Sequence, residues 1–438
     1  MSITIVFLGI ALLFVFIALV KLNPFISFLI VSFLVGMALG MDWKAVIASI
    51  QNGIGNTLGY LAVILGLGAM LGKLVADSGA AQRITLQLVN AFGKRNIQWA
   101  LMLTGFIVGI PMFYTVGFVI LIPLVFTVAA ATGLPLVYVG LPMLASLSVT
   151  HGYLPPHPAP TGIAVMFHAD IGKTLLYGIL VAIPAIVVAG PILSKRFRHI
   201  KSTPLPEFVN PTVLTEAEMP KTGISIITAL LPVILIGVAA LTGLFLEESH
   251  PIRKITGILG DPVIAMLLSV LLAIYTLGLG RGKKMKEVMG SLSDGIGGIT
   301  FVLFIIAGAG ALKQVLVDSG VSSAIGDLLK DSSLNPLVPA WLISAGVRVC
   351  VGSATVAGLT AAGIALPLLS NSTVSPELMV LAIGSGSLML SHVNDGGLWL
   401  FKEYFNLTVK DPLRNWTVME TTVGVMGLLS VLVLNTFL

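Results

Sequence analysis

The chain has 438 residues, 56% of them hydrophobic and 10% charged, with a formal net charge of +5. So few charged groups cannot cover a soluble globule of this length, so composition excludes a soluble enzyme or binding module and requires a protein embedded in lipid. Membrane topology accounts for the small positive charge without a nucleic-acid partner, and the single Cys350 excludes an internal disulfide or a multi-cysteine metal site.

Apolar runs long enough for a hydrocarbon core of about 30 Å are expected first at about 2–20, 24–41 and 54–76. No basic residue precedes the first run and no small-residue cleavage site follows it, so it is expected to be a retained span. Residues of about 97–132 are apolar but interrupted by Gly109-Ile110-Pro111 and Thr115-Val116-Gly117, which predicts a re-entrant helical hairpin. A helix over about 136–168 is expected to break between Thr150 and His157, and a last span follows at about 172–193. Residues 194–222 are polar and carry Pro204, Pro206, Pro211 and Pro220, the composition of a linker. The order then recurs: spans at about 224–246, 262–280 and 296–317, a hairpin over 337–370 interrupted at Gly352-Ser353-Ala354-Thr355, a broken helix over 376–402, and a last span at 417–437.

The order recurs because the sequence does. SIQNGIGNTLGYLAVILGLGAM at 49–70 aligns with SLSDGIGGITFVLFIIAGAGAL at an offset of 242. At an offset of 241, Asp77-Ser78-Gly79 falls on Asp318-Ser319-Gly320, Thr150-His151 on Ser391-His392, and Asp170 on Asp411. Each repeat, 1–193 and 223–438, has five spans and one hairpin, and an odd number of spans inverts the second copy. With the N-terminus outside, Lys21, Arg83, Lys94, Arg95, Lys195, Arg196, Arg198, Lys201, Arg281, Lys283, Lys284, Lys286, Lys410 and Arg414 share one face. The other face carries Lys44, Lys173, Arg253, Lys254 and Lys330 among acidic residues, so the first face and the linker are expected to be cytoplasmic. The expected fold is an all-α polytopic membrane protein of two inverted repeats with broken helices at the midplane. Backbone that leaves a helix at membrane depth must line a cavity or be buried in protein, so the four breaks should meet.

Costly groups at those breaks are the candidates for chemistry. Arg348, one turn before Gly352, must be paired, and its guanidinium forks naturally onto a carboxylate, either Asp395 or a ligand. Ser353, Ala354 and Thr355 open a helix whose free N–H groups suit an anion, and Tyr114 and Thr115 are similarly placed in the first hairpin. His151, beside Gly152, and His392 open the two broken-helix gaps; each imidazole is suited to bind hydroxyls, to take a proton, or to satisfy backbone groups at a helix end. Asp395, with Asn394 beside it, is suited to bind a hydroxyl or a cation, or to cap the next helix. His151 and His157 lack a third ligand, so neither a metal nor any other cofactor is expected. Asp77-Ser78-Gly79 and its copy have the composition of helix-terminating turns.

The stretches Thr150–Thr161, Gly352–Ala357 and Ser391–Asp395, with Gly68–Lys73 and Phe401–Thr408, resemble signatures of the gluconate permease family over essentially the whole chain. The resemblance implies a bacterial inner-membrane permease that imports gluconate or a related sugar acid by H⁺ symport, and with the charge pattern above both termini of this multi-pass chain are expected to be periplasmic. It also implies a dimeric scaffold and elevator-type movement. Arg348 and the hairpin amides would hold the carboxylate, while His151, Thr161, His392, Asn394 and Asp395 would contact hydroxyls or couple to H⁺; the alternative is a Na⁺-coupled transporter of another small hydroxy or amino carboxylate. The first three spans of each half, about 1–76 and 223–317, would form the scaffold. The chain departs from the family pattern at Thr115, where a Glu is usual, which removes a carboxylate suited to a polyol or a proton. An intramembrane enzyme using His151, His157 and Asp395 is disfavoured by the absence of a nucleophile beside a base.

Overall fold

The computed structural model describes residues 2–200, 202–203, 214–320, 335–370, 372–393 and 395–438. Asn394, Lys201, Lys330 and linker residues 204–213 therefore lie outside the described residues. The described chain is helical, with no strand among the described residues. The first half runs α1 (Ser2–Phe14), α2 (Pro24–Ala38), α3 (Trp43–Asp77), α4 (Ala80–Phe92), α5 (Ile97–Gly109), α6 (Tyr114–Thr132), α7 (Leu136–Tyr153), α8 (Pro158–Met166) and α9 (Ile171–Val187). The second runs α10 (Thr222–Phe245), α11 (Pro251–Leu259), α12 (Pro262–Ala273), α13 (Met285–Asp318), α14 (Leu337–Val351), α15 (Ala354–Ser370), α16 (Pro376–Gly386), α17 (Gly396–Tyr404) and α18 (Lys410–Asn435). Among the described residues, seven helical segments are long and apolar enough to cross a membrane: α3, α6, α10, α13, α18 and the segments Ile171–Phe197 and Pro262–Arg281.

Side-chain caps decide where several helices begin. Asn23 accepts from the Phe25 amide at 2.9 Å and Asp42 from the Lys44 amide at 2.9 Å. Asp261 accepts from Val263 at 3.0 Å and Ile264 at 3.2 Å, with Pro262 preset at the first helical position. Each such cap stabilises its helix by about 1 kcal/mol. The Asp42 cap explains why α3 starts at Trp43, well before the apolar run at 54: a polar first third is still helical once its end is sealed. Gly79, at φ 77°, ends α3 in the left-handed region that favours glycine, so the repeated Asp-Ser-Gly segment is a terminating turn here.

Burial has the polarity expected in lipid. On α10, Ser225, Thr228, Ala229, Pro232 and Ile236 face inward while Ile227, Ile234, Leu241 and Leu244 are exposed. Small and hydroxylic residues allow close helix approach, and large apolar ones meet a solvent as apolar as themselves. Thr228 on that inner face shares a hydroxyl bond of 3.1 Å with Thr276.

The two long helices that carry the duplicated segments, α3 and α13, form the most extensive helix pair. They cross antiparallel, Ser49 donating to Asp318 at 2.6 Å. Gly53 lies against the backbone of Gly310 and Ala311, and Gly295 against that of Ala69. Adding 242 converts 53 to 295 and 69 to 311, so the contact is reciprocal, as a two-fold interface requires. Around this pair, α5 packs on α7 and α14 on α16. Gly72 of α3 meets the Pro111 carbonyl, which seats the α5–α6 connection against the long helix.

Candidate functional site

Three of the four helix breaks line one cavity of about 1230 Å³, and the fourth, between α7 and α8, adjoins it through the flanking His151 and Pro158. Residues 110–113 separate α5 from α6, 352–353 separate α14 from α15, 154–157 separate α7 from α8, and a non-helical stretch separates α16 from α17. Met112 and Phe113, Gly352 and Ser353, Pro158, and Asp395 bring these breaks to the wall.

Arg348 stands in the last turn of α14, where its charge complements the carbonyl end of the helix dipole. It is 3% exposed, and its Nη2 donates to Asp395 Oδ2 in a short ion pair. Its Nε and Nη1 are buried and have no partner among the described residues. Asp395 caps α17: Oδ1 accepts from the Gly397 amide at 2.9 Å and Oδ2 also accepts from the Ser391 hydroxyl. Ser391 in turn accepts from Trp416 Nε1 of α18 at 2.7 Å. A chain of donors from α18 to α14 thus fixes the carboxylate and, through it, the guanidinium.

Facing this pair are groups with unused hydrogen-bonding capacity. Tyr114, in the first turn of α6, lines the cavity, its buried hydroxyl without a hydrogen-bond partner among the described residues. His151 of α7 touches Thr355 Oγ1 through Nε2 at 3.4 Å, while its Nδ1 is buried without a partner among the described residues. Ser353 accepts from the Val356 amide at 3.4 Å at the head of α15. Ala354, Thr355 and Thr115 complete this rim. Both α6 and α15 point N-termini at the cavity, where free amides and the helix dipole favour an anion.

Other residues singled out in the sequence lie elsewhere. Gly152 packs against Leu388 and the Gly384 carbonyl where α7 crosses α16. Thr161 is fully buried on α8, its hydroxyl without a partner among the described residues, and is not part of the cavity wall. His392 donates through Nε2 to the Val349 carbonyl at 3.0 Å, away from the wall. His157 does the same for the Gly109 carbonyl at 2.9 Å, so each of the two broken-helix gaps contributes an imidazole that satisfies a carbonyl in the last turn of a neighbouring hairpin helix. The His151 and His157 rings lie 5.5 Å apart, and among the described residues no three His, Cys, Asp or Glu side chains form a metal-binding group.

Sequence reasoning missed Glu420. It is 2% exposed on α18, one turn after Trp416, and lines the cavity. Its Oε1 accepts from Ser148 Oγ of α7, and its Oε2 has no partner among the described residues. The available signal was a carboxylate within the last apolar run, since an ionisable group inside a span is by default a functional candidate.

Comparison with known proteins places the chain among permeases. Residues 1–437 match the family described as GntP family permease. The Gnt-II system L-idonate transporter of Escherichia coli (strain K12) is 50% identical over 438 residues, covering 100% of both chains. A high-affinity gluconate transporter of the same organism is 50% identical over 436 residues, 99% of each chain. In fold, the chain resembles the Alcanivorax borkumensis YdaH transporter, whose crystal structure has an unusual topology, with a TM-score of 0.68 at 16% identity over 94% of this chain and 98% of that one.

Proposed function

The chain belongs to the GntP permease family, an integral-membrane family of permeases and not of enzymes, and from that membership we propose that it imports gluconate or a closely related sugar acid across the bacterial inner membrane by H⁺ symport. The observation that carries the reading is Arg348, a buried guanidinium with one nitrogen on Asp395 and two donors unused beside a large cavity. A buried donor without an acceptor costs about 1–3 kcal/mol, and a carboxylate brought to Arg348 removes that cost with charge-assisted bonds. The amides at the heads of α15 and α6, around Ser353, Ala354, Thr355 and Thr115, add to the anion site. The hydroxylated tail then meets Tyr114 and His151, whose free hydroxyl and ring nitrogen match a polyol. Two relatives at equal identity are named for L-idonate and gluconate, which supports a sugar acid as the substrate class.

Movement is assigned to the hairpins, broken helices and last spans against a scaffold of the first three spans of each half. The reciprocal packing of α3 on α13 supports an inverted pair of repeats at the centre of that scaffold. A homodimer is expected from the family resemblance, and periplasmic termini from the basic residues gathered on one face.

Uptake of labelled gluconate into proteoliposomes, challenged with unlabelled L-idonate, other aldonates, D-serine and dicarboxylates, tests the substrate assignment. Aldonates should compete best. Stronger competition by D-serine or a dicarboxylate would overturn it, and uptake that follows external Na⁺ while ignoring a pH gradient would overturn the coupling.

A further inference from the structure

We infer that Glu420, and not Asp395, carries the transported proton; this rests on the H⁺-symport reading above. Two carboxylates stand at the inner wall of the cavity, and their surroundings differ. Asp395 receives the Arg348 guanidinium, the Ser391 hydroxyl and the Gly397 amide. Protonating it would break the ion pair and leave Arg348 charged, buried and uncompensated, the costly way to disrupt such a pair. Glu420 receives one neutral donor, Ser148, and its second oxygen is bare. A proton on Oε2 removes a buried charge and breaks no bond.

The groups facing Glu420 support the assignment. From α7 come Ser148, His151 and Tyr153, whose hydroxyl donates to the Val423 carbonyl at 2.6 Å. Tyr114 of α6 lines the same wall, and Arg348 and Asp395 are the charged groups beside it. The charges on α9 and α16 are Lys173 and Glu377, and Glu377 is engaged by the Asp170 amide and the Ser375 hydroxyl. No cation on these elements pairs with Glu420 among the described residues.

The charge count explains why proton and substrate would travel together. Among the inner groups, Arg348 and Asp395 cancel and Glu420 leaves −1. The remaining charged residues of the wall are otherwise engaged: Lys73 pairs with Asp77 at 2.9 Å, Glu403 with Lys402 at 2.7 Å, and Asp294 is exposed. A sugar acid alone would bring the inner site to −2. With a proton on Glu420 the loaded site returns to −1, so the anion and the proton each favour the other's binding, which is the linkage symport needs. In transport, Oε2 takes a proton from water on one side, is carried as the neutral acid with the substrate, and returns the proton to water on the other side.

Glu420→Gln, a permanent mimic of the neutral acid, separates the possibilities in proteoliposomes. Wild-type protein should accumulate labelled gluconate under an inward pH gradient, abolished by an uncoupler. E420Q should keep gluconate–gluconate exchange within several-fold of wild type and lose at least ten-fold of the gradient-driven accumulation. Asp395→Asn should depress both, because it frees Arg348. E420Q that still accumulates gluconate with the wild-type pH profile would overturn the assignment to Glu420 and leave symport standing; wild-type uptake indifferent to the pH gradient would overturn symport and the assignment with it. If E420Q does not fold, Ser148→Ala carries the test. Losing the only donor that the ionised carboxylate has among the described residues should move the pH midpoint of uptake upward by about one unit, whereas a merely structural role would lower the rate equally at every pH.

Discussion

At the scale of the residue, Arg348 carries the most weight. Lysine keeps the charge but gathers its three donors on one nitrogen, so it lacks the planar fork that holds Asp395 on one nitrogen while presenting donors on two others. Arg348→Lys should bind gluconate several-fold more weakly, and Arg348→Ala should lose about 2–4 kcal/mol, partly because Asp395 is left without its partner. Equilibrium binding in detergent measures both, and wild-type affinity in the alanine variant would show that the guanidinium serves Asp395 alone. Arg348, Asp395, His151 and Thr355 were legible in the sequence because each is a polar or charged group beside a helix break inside an apolar run. Glu420 was not, because it sits near the start of the last run, where a carboxylate passes for an interfacial group, and because Ser148 lies in the other repeat. Gly152 and Thr161 share the break motif but point to helix contacts and to the interior of α8's packing, a matter of helical phase that motif reading does not resolve.

Among the elements, the α3–α13 pair sets the distance between the two repeats. A β-carbon at Gly53 would run into the Gly310 carbonyl and the Ala311 backbone, whereas one at Gly55, on the same helix, would meet nothing within 4 Å. Gly53→Val should therefore destabilise the protein by about 1–3 kcal/mol through overpacking, and Gly55→Ala should be neutral or slightly stabilising, since alanine is the better helix former. Thermal melting in detergent should separate the two variants, and equal melting temperatures would mean that the helices are not in contact at Gly53. The existence of these elements followed from apolar length, but their ends did not. The start of α3 is fixed by the Asp42 cap, and α11 is too short for a hydropathy window, although its face of Ile252, Ile255 and Ile258 is exposed.

For the whole molecule, the duplication was the strongest sequence signal, and the reciprocal contact between α3 and α13 is what inverted copies would produce. Reporter fusions in the 194–222 linker should report the cytoplasm and fusions at both ends the periplasm; a periplasmic linker would contradict the orientation, and a linker on the same side as the ends would contradict the inverted arrangement. The shared cavity requires both halves, because Arg348 and Asp395 come from one and Tyr114, His151 and Ser148 from the other. Neither half should transport alone. That a single site assembled from both repeats moves a sugar acid is most directly tested by counterflow. Proteoliposomes preloaded with unlabelled gluconate and diluted into labelled gluconate should show a saturable, transient accumulation of label that preloading with sorbitol, a six-carbon polyol without a carboxylate, does not produce. Absence of the overshoot, or an equal overshoot with sorbitol, would contradict the account.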